Sequence, residues 1–281
     1  MSLGIAFKGP EGIVLAADSR VSLSGPLPGS NLLVQSHYDN ATKLLKVKDH
    51  DNVGAVTYGL GALGGGRPRT PHSYLPEFET ELATEMRLSV EEFASRLGDF
   101  FRRQWSEANT PAEADAMVFL VGGFDEREAY GRVFEVSIPN SPAPVEKSAD
   151  DFGITFGGQH EIVGRLLGGY DPRLEALVAT NVHLNAAQTK NLRQKVLQSL
   201  AMPIPYQFLP LQDCVDLSIF LIKTTATLQG WTTGTRGVGG AIDVATITRT
   251  EGFRAVQEKR IVGDRSELRG DRSNRRSKRR A

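Results

Sequence analysis

A serine stands directly behind the first methionine of this chain. If Met1 is removed, which a small second residue permits, the Ser2 hydroxyl and a free α-amine lie within one residue of each other. A free α-amine titrates near about 7.7–8.0, so a usable share is unprotonated at neutral pH. Such an amine can act as general base for the neighbouring hydroxyl, directly or through a water, making Ser2 Oγ a nucleophile for a carbonyl carbon. A serine after methionine is common, so this pairing gains weight only from the residues that surround it.

Other chemistries find little footing. The single cysteine, Cys214, excludes an intrachain disulfide and a cysteine-based metal cluster, and a reducing, cytoplasmic compartment is the expectation. His37, His50, His72, His160 and His183 lack metal-ligand spacing and read as surface or loop residues. The glycine run over 59–66 lacks the lysine and Ser/Thr ending of a phosphate loop, and no cofactor or metal is expected. Lys+Arg and Asp+Glu both number 33, so net charge points to no acidic or basic partner. No basic segment precedes an unbroken apolar run near the start, so no signal peptide is expected. No window approaches the length of a membrane span.

The elements that would hold Ser2 follow from apolar patterning. The chain has 281 residues, 40% of them hydrophobic, enough for one large domain. Residues 3–7 and 12–18 read as a β-hairpin around Lys8-Gly9-Pro10-Glu11, and the second strand, apolar on both faces, reads as sandwiched between layers. Residues 22–40, rich in Ser, Gly, Pro and Asn, read as a long loop. Strands follow at about 43–48 and 53–59, then a helical region after Pro71. Ser89-Val90-Glu91-Glu92 is a capping box opening a helix with Phe93, Leu97, Phe100 and Phe101 on one side. Further strands are expected at Ala116–Val121, Arg132–Ile138 and Ala241–Thr248, and helices at 158–168, about 184–201 and 211–229. From 264 to 281 arginine and lysine dominate with almost nothing to bury, which reads as a disordered basic tail outside a domain over 1–263.

The run Ser2-Leu3-Gly4-Ile5-Ala6-Phe7-Lys8, followed by Gly12-Ile13-Val14-Leu15-Ala16-Ala17-Asp18-Ser19-Arg20, resembles the start of mature proteasome β-type subunits. Those N-terminal nucleophile (Ntn) hydrolases begin with threonine and reach an Ala-Ala-Asp-Ser-Arg or similar motif at the end of a hairpin, at the same spacing. The resemblance implies that Ser2 stands for the catalytic threonine, that Asp18 supports the catalytic lysine, and that Arg20 is a structural neighbour. Lys43-Leu44-Leu45-Lys46-Val47 resembles the strand whose first residue is that lysine, so Lys43 is the candidate, with Lys46 and Lys48 as alternatives. Gly54-Ala55-Val56-Thr57-Tyr58-Gly59-Leu60 resembles the strand ending in the glycine that stabilises the oxyanion, here Gly59. Val21, Ala41, Thr57 and Gly61 fall near the family's specificity pocket and, being uncharged, imply uncharged side chains before the scissile bond.

The match is close over 2–60 and looser beyond. Gly239-Gly240-Ala241-Ile242-Asp243 looks like the family's late strand, but Thr235 and Val238 stand where an aspartate and a serine usually position the amine. Gly157 stands where a further serine is usual, and 171–210 looks like an inserted helical segment. The resemblance implies an α+β fold, a four-layer αββα sandwich of two antiparallel sheets flanked by helices, and peptide-bond hydrolysis through an acyl-enzyme on Ser2. A catalytically silent structural subunit and an amidase or transpeptidase with a narrow substrate are the alternatives. It further implies a peptide or unfolded-protein substrate and a homo-oligomeric ring. An ATP-dependent unfoldase is a partner of the family that no residue here supports, and neither membrane nor nucleic acid is expected as a partner.

Overall fold

The structure, a computed structural model, describes residues 2–26, 29–30, 33–64, 67–111, 113–234 and 236–263. Its first elements are β1 (Leu3–Lys8) and β2 (Ile13–Asp18), antiparallel and buried at every residue. Complete burial on both faces needs a layer on each side, and the alternation of side chains along a strand supplies two different ones. Ile13, Leu15 and Ala17 face one apolar core; Val14 and Ala16 face another.

The first core lies between two five-stranded sheets. One sheet orders β10 (Gly153–Gly158), β1, β2, β11 (Ile242–Thr248) and β12 (Gly252–Gln257). The other orders β5 (Leu44–Leu45), β6 (Val53–Gly59), β7 (Met117–Gly123), β8 (Arg132–Ile138) and β9 (Ser141–Lys147). All neighbours in both sheets are antiparallel. The second core joins the first sheet to α3 (Glu161–Gly168) and α6 (Leu211–Gln229). A third joins the second sheet to α1 (Leu75–Leu82) and α2 (Val90–Glu107). Three apolar interfaces make four layers, the αββα sandwich expected from the sequence. Two more helices, α4 (Leu174–Asn181) and α5 (Ala186–Lys195), lie in the segment read as an insertion.

Local chemistry explains where several elements begin. At α2 the Ser89 side chain accepts from the Glu92 backbone N–H, and the Glu92 carboxylate accepts from the Ser89 N–H, closing the expected capping box. Phe93, Leu97, Phe100 and Phe101 then point into the core beneath the second sheet.

Several expectations are corrected. Residues 22–40 are not simply a loop: β3 (Val21–Pro26) and β4 (Leu33–Tyr38) pair as a separate hairpin. The strand expected over 43–48 shrinks to two residues, after which Lys46 pairs with Asp51 across a turn. The helix expected from 158 starts at Glu161, because Gly157 and Gly158 end β10. Strands β9, β10 and β12 went unread, and each is an edge strand. An edge strand lacks a neighbour and full burial, so its sequence needs no strong apolar alternation and tolerates Pro142 and Pro144 in β9. The basic tail of 264–281 lies outside the described residues. Among the described residues no helix is long and apolar enough to cross a membrane.

Candidate active site

Asp18 is the last residue of the central hairpin strand, still paired with Ile242, and N–H groups from three segments converge on its carboxylate. Its Oδ1 accepts from the Leu3 N–H (3.1 Å) and from Lys43 Nζ (2.6 Å); its Oδ2 accepts from the N–H groups of Arg20 (3.1 Å) and Gly239 (2.9 Å). The carboxylate is 1% exposed, and four donors saturate it. A buried charge survives only when paired and hydrogen-bonded in this way.

Lys43 sits one residue before β5, and its carbonyl accepts from the Thr57 N–H at 3.0 Å, fixing it against β6. Its side chain is 8% exposed. Burial pushes its proton affinity below the ordinary lysine range, and the Asp18 charge and hydrogen bond oppose that shift. Lys46, the alternative, is half exposed and held by Asp51 at 3.1 Å, away from Asp18.

Ser2 and Lys43 line one pocket of about 350 Å³. Gly59 and Gly61 line it too, as do Val21, Ala41 and Thr57, so seven of the eight residues selected from sequence meet here and Asp18 lies behind Lys43. The wall is otherwise mostly apolar or hydroxylic, with Leu60 and Pro71 beside Thr42, Thr70 and Ser22, and the Arg20 guanidinium is neutralised by Asp39 (2.6 and 2.8 Å). That guanidinium also holds the Asp39 carboxyl below the usual carboxylate range.

Gly59 is demanded by the backbone alone. It adopts φ +87°, and a Cβ there would lie 2.1 Å from the Ala116 carbonyl oxygen. A strand-end glycine and an oxyanion donor are therefore compatible descriptions of the same residue.

The altered outer positions have a steric account. A Cβ on Gly157 would lie 2.2 Å from Tyr58 Cζ, so the Tyr58 ring fills the room a serine would need. Its hydroxyl donates to Glu135 at 3.1 Å, and burial raises its affinity for that proton. Val238 is buried in the core beneath α6. Thr235 lies outside the described residues.

Sequence reasoning missed a second, partly buried ion pair, Asp243 with Lys259. Asp243 also accepts from the Lys259 N–H at 2.8 Å and from Ser19 Oγ at 3.5 Å, Ser19 being the residue that follows Asp18. The available signal was a lone carboxylate inside the apolar strand Ile242–Thr248. Among the described residues no group of three His, Cys, Asp or Glu side chains converges to hold a metal ion.

This architecture is a proteasome-like Ntn-hydrolase fold. The chain is similar to solved structures of Anbu: a mutant from Hyphomicrobium sp. strain MC1 (16% identity, TM-score 0.54, covering 100% of this chain and 98% of that one). A second Anbu structure from that strain matches at 17% identity and TM-score 0.51, covering 99% and 97%. Anbu from Yersinia bercovieri, described as an ancestral beta-subunit, matches at 16% identity and TM-score 0.53, covering 92% of this chain and 87% of that chain. No family model matches, and no curated protein is significantly similar. These findings correct the resemblance to proteasome β-type subunits: the structural likeness is to Anbu, and at this identity it shows the fold alone. A motif over residues 2–60 reports one hairpin and one strand, which is too little chain to place a protein within such a fold.

Proposed function

We propose that this chain is an N-terminal nucleophile hydrolase that cleaves peptide bonds through an acyl-enzyme on Ser2 Oγ once Met1 has left. The observation that carries the reading is the meeting of Ser2, Lys43 and Gly59 on one pocket wall, with Asp18 fully hydrogen-bonded behind the lysine. The freed α-amine takes the Ser2 Oγ proton, directly or through a water, as Oγ bonds to the carbonyl carbon. The oxygen that becomes negative is stabilised by the Gly59 N–H, a donor needing no side-chain ordering. The protonated amine gives its proton to the departing peptide amine, leaving the acyl group on Ser2. Water then attacks the ester with the same amine as base, the protonated amine returns its proton to the departing Ser2 Oγ, and the acid product leaves.

Lys43 acts on this cycle through charge. An ammonium in a water-poor site disfavours protonation of the α-amine and favours an anionic oxygen nearby, and Asp18 keeps it charged and aimed. Serine has no β-methyl group to restrict χ1, so its hydroxyl is held less firmly than threonine's would be. The apolar pocket wall suits uncharged side chains before the scissile bond.

Intact mass measured before and after a β-lactone tests the reading. Protein with Ser2 exposed should gain one acyl group and hydrolyse peptides; protein retaining Met1, and Ser2→Ala, should do neither. Ser2→Thr should react at least as fast as the parent. Equal labelling of the Met1-retaining form would show that the α-amine is not the base, and the reading would be abandoned.

A further inference from the structure

The turn after β10 reaches Ser2 and the loop before β11 reaches Asp18, and one side chain spans the gap between them. Gln159, just past β10, donates its backbone N–H to the Ser2 carbonyl at 2.8 Å. Gln229, the last residue of α6, donates from Nε2 to Gln159 Oε1 at 3.0 Å. The other end of the same amide, Oε1, accepts the Val238 N–H at 2.9 Å. The next residue, Gly239, donates its N–H to Asp18 Oδ2 at 2.9 Å and accepts from the Ser19 N–H at 3.1 Å.

The orientation of these amides is fixed by their surroundings. A backbone N–H can only donate, so the Gln229 atom facing Val238 is the oxygen and the atom facing Gln159 is the nitrogen. That nitrogen can only donate, so the Gln159 atom it meets is again an oxygen. The chain of bonds therefore has one consistent direction, from Val238 through Gln229 to Gln159. Val238 and Gly239 are buried, and Gln229 and Gln159 are partly shielded, so water competes weakly for these bonds.

We propose that Gln229 is a positioning residue: it ties the turn that holds the Ser2 carbonyl to the loop that grips Asp18. It thereby fixes the nucleophile and the Asp18–Lys43 pair relative to each other. The proposal rests on the reading of Ser2 as nucleophile. It also accounts for a site without serine at 157 or 238: a neutral amide bridge, whose charge does not change with pH, spans the outer shell. Gln229 does not touch substrate; it acts through the backbone of residues 159 and 238.

The test compares Gln229→Met, which keeps the length and loses both bonds, with Gln229→Glu. The glutamate carboxylate still accepts from Val238, and it accepts from the Gln159 amide turned end for end. In Gln229→Met, β-lactone labelling of Ser2 and kcat for a peptide should fall about tenfold or more with KM within about twofold, since misplacement of reacting groups costs rate rather than affinity. Amide hydrogen exchange over 237–240 should quicken. Gln229→Glu should return to within about threefold of the parent, because its acceptor atoms restore both contacts. Labelling of Gln229→Met within twofold of the parent, equal losses in both variants, or unchanged exchange over 237–240 would each overturn the assignment. A parent protein with exposed Ser2 that resists the probe instead overturns the nucleophile reading itself, and this inference with it.

Discussion

The hairpin β1–β2 and helix α4 are both rich in apolar residues, yet they end in opposite environments. Every residue of the hairpin is buried, whereas neither α4 nor α5 buries a single one, and Leu177 and Val182 lie more than half exposed. The difference is what lies on either side. The hairpin sits at the middle of a sheet with a second sheet on one face and α6 on the other; α4 and α5 meet through surface pairs such as Arg193 with Glu175. Apolar content alone therefore does not mark the rigid part of this molecule. The candidate nucleophile and its carboxylate lie at the ends of the strands that are covered on both sides, where a side chain has one packing solution.

Breaking the buried ion pair should have the largest effect. Lys43→Met leaves the Asp18 charge with only main-chain donors, which should cost about 3–5 kcal/mol and slow Ser2 labelling by about 10²–10³. Lys46→Met, at an exposed pair, should change stability by less than about 1 kcal/mol and leave labelling unaffected. Denaturant melts and probe kinetics on the two variants decide; the reverse order would move the catalytic lysine to 46. The pH dependence has a definite sign. Burial lowers the folded-state proton affinity of Lys43, so the unfolded chain binds that proton more tightly. The contribution of Lys43 to stability therefore rises with pH from its folded value up to about 10.4, a slope the methionine variant should lose.

The second contrast is between apolar truncations. Leu15→Ala, at a fully buried side chain between the sheets, should cost about 2–5 kcal/mol. Leu177→Ala, on the exposed side of α4, should stay within about 0.5 kcal/mol. Comparable losses in urea melts would show that α4 is covered in solution by something this chain does not itself supply.

The same capping motif occurs in both regions and sharpens the comparison further. Ser89 caps α2 and Asn185 caps α5, each with a reciprocal bond at the third residue. Ser89→Ala should remove about 1 kcal/mol from global stability, because α2 carries the core under the second sheet. Asn185→Ala should fray α5 alone, seen as faster hydrogen exchange over 186–195 with no shift of the melting temperature. A global shift from Asn185→Ala would tie α5 to the main cooperative unit.

The smallest effect is expected at Cys214. Burial beneath the first sheet pushes its thiol up to about 11, so alkylation at pH 8 should be slow in the native protein and should appear only with unfolding. Rapid native alkylation would show that the α6 side opens readily, like the α4–α5 segment.

The sequence by itself determined the parts whose pattern is forced by two-sided burial or by a local motif: the first hairpin, β6, β8, α2 with its capping box, and α6. The resemblance carried by residues 2–60 also pointed to Ser2, Asp18, Lys43 and Gly59 as candidates, though they sit on two sheets: Ser2 and Asp18 at one end of the β1–β2 hairpin, Lys43 just before β5 and Gly59 at the end of β6. Tertiary structure alone decided the rest. The edge strands β9, β10 and β12 have only half a reason to be apolar, so their residues carry little signal. Which lysine meets Asp18 was settled by the turn after Leu45, which sends Lys46 outward to Asp51. Asp243 and Lys259, and the two glutamines that join Ser2 to the Asp18 loop, come from segments far apart in the chain. A hydrogen bond between such segments leaves no periodicity or spacing behind, because it depends on where the whole sandwich places two strand ends.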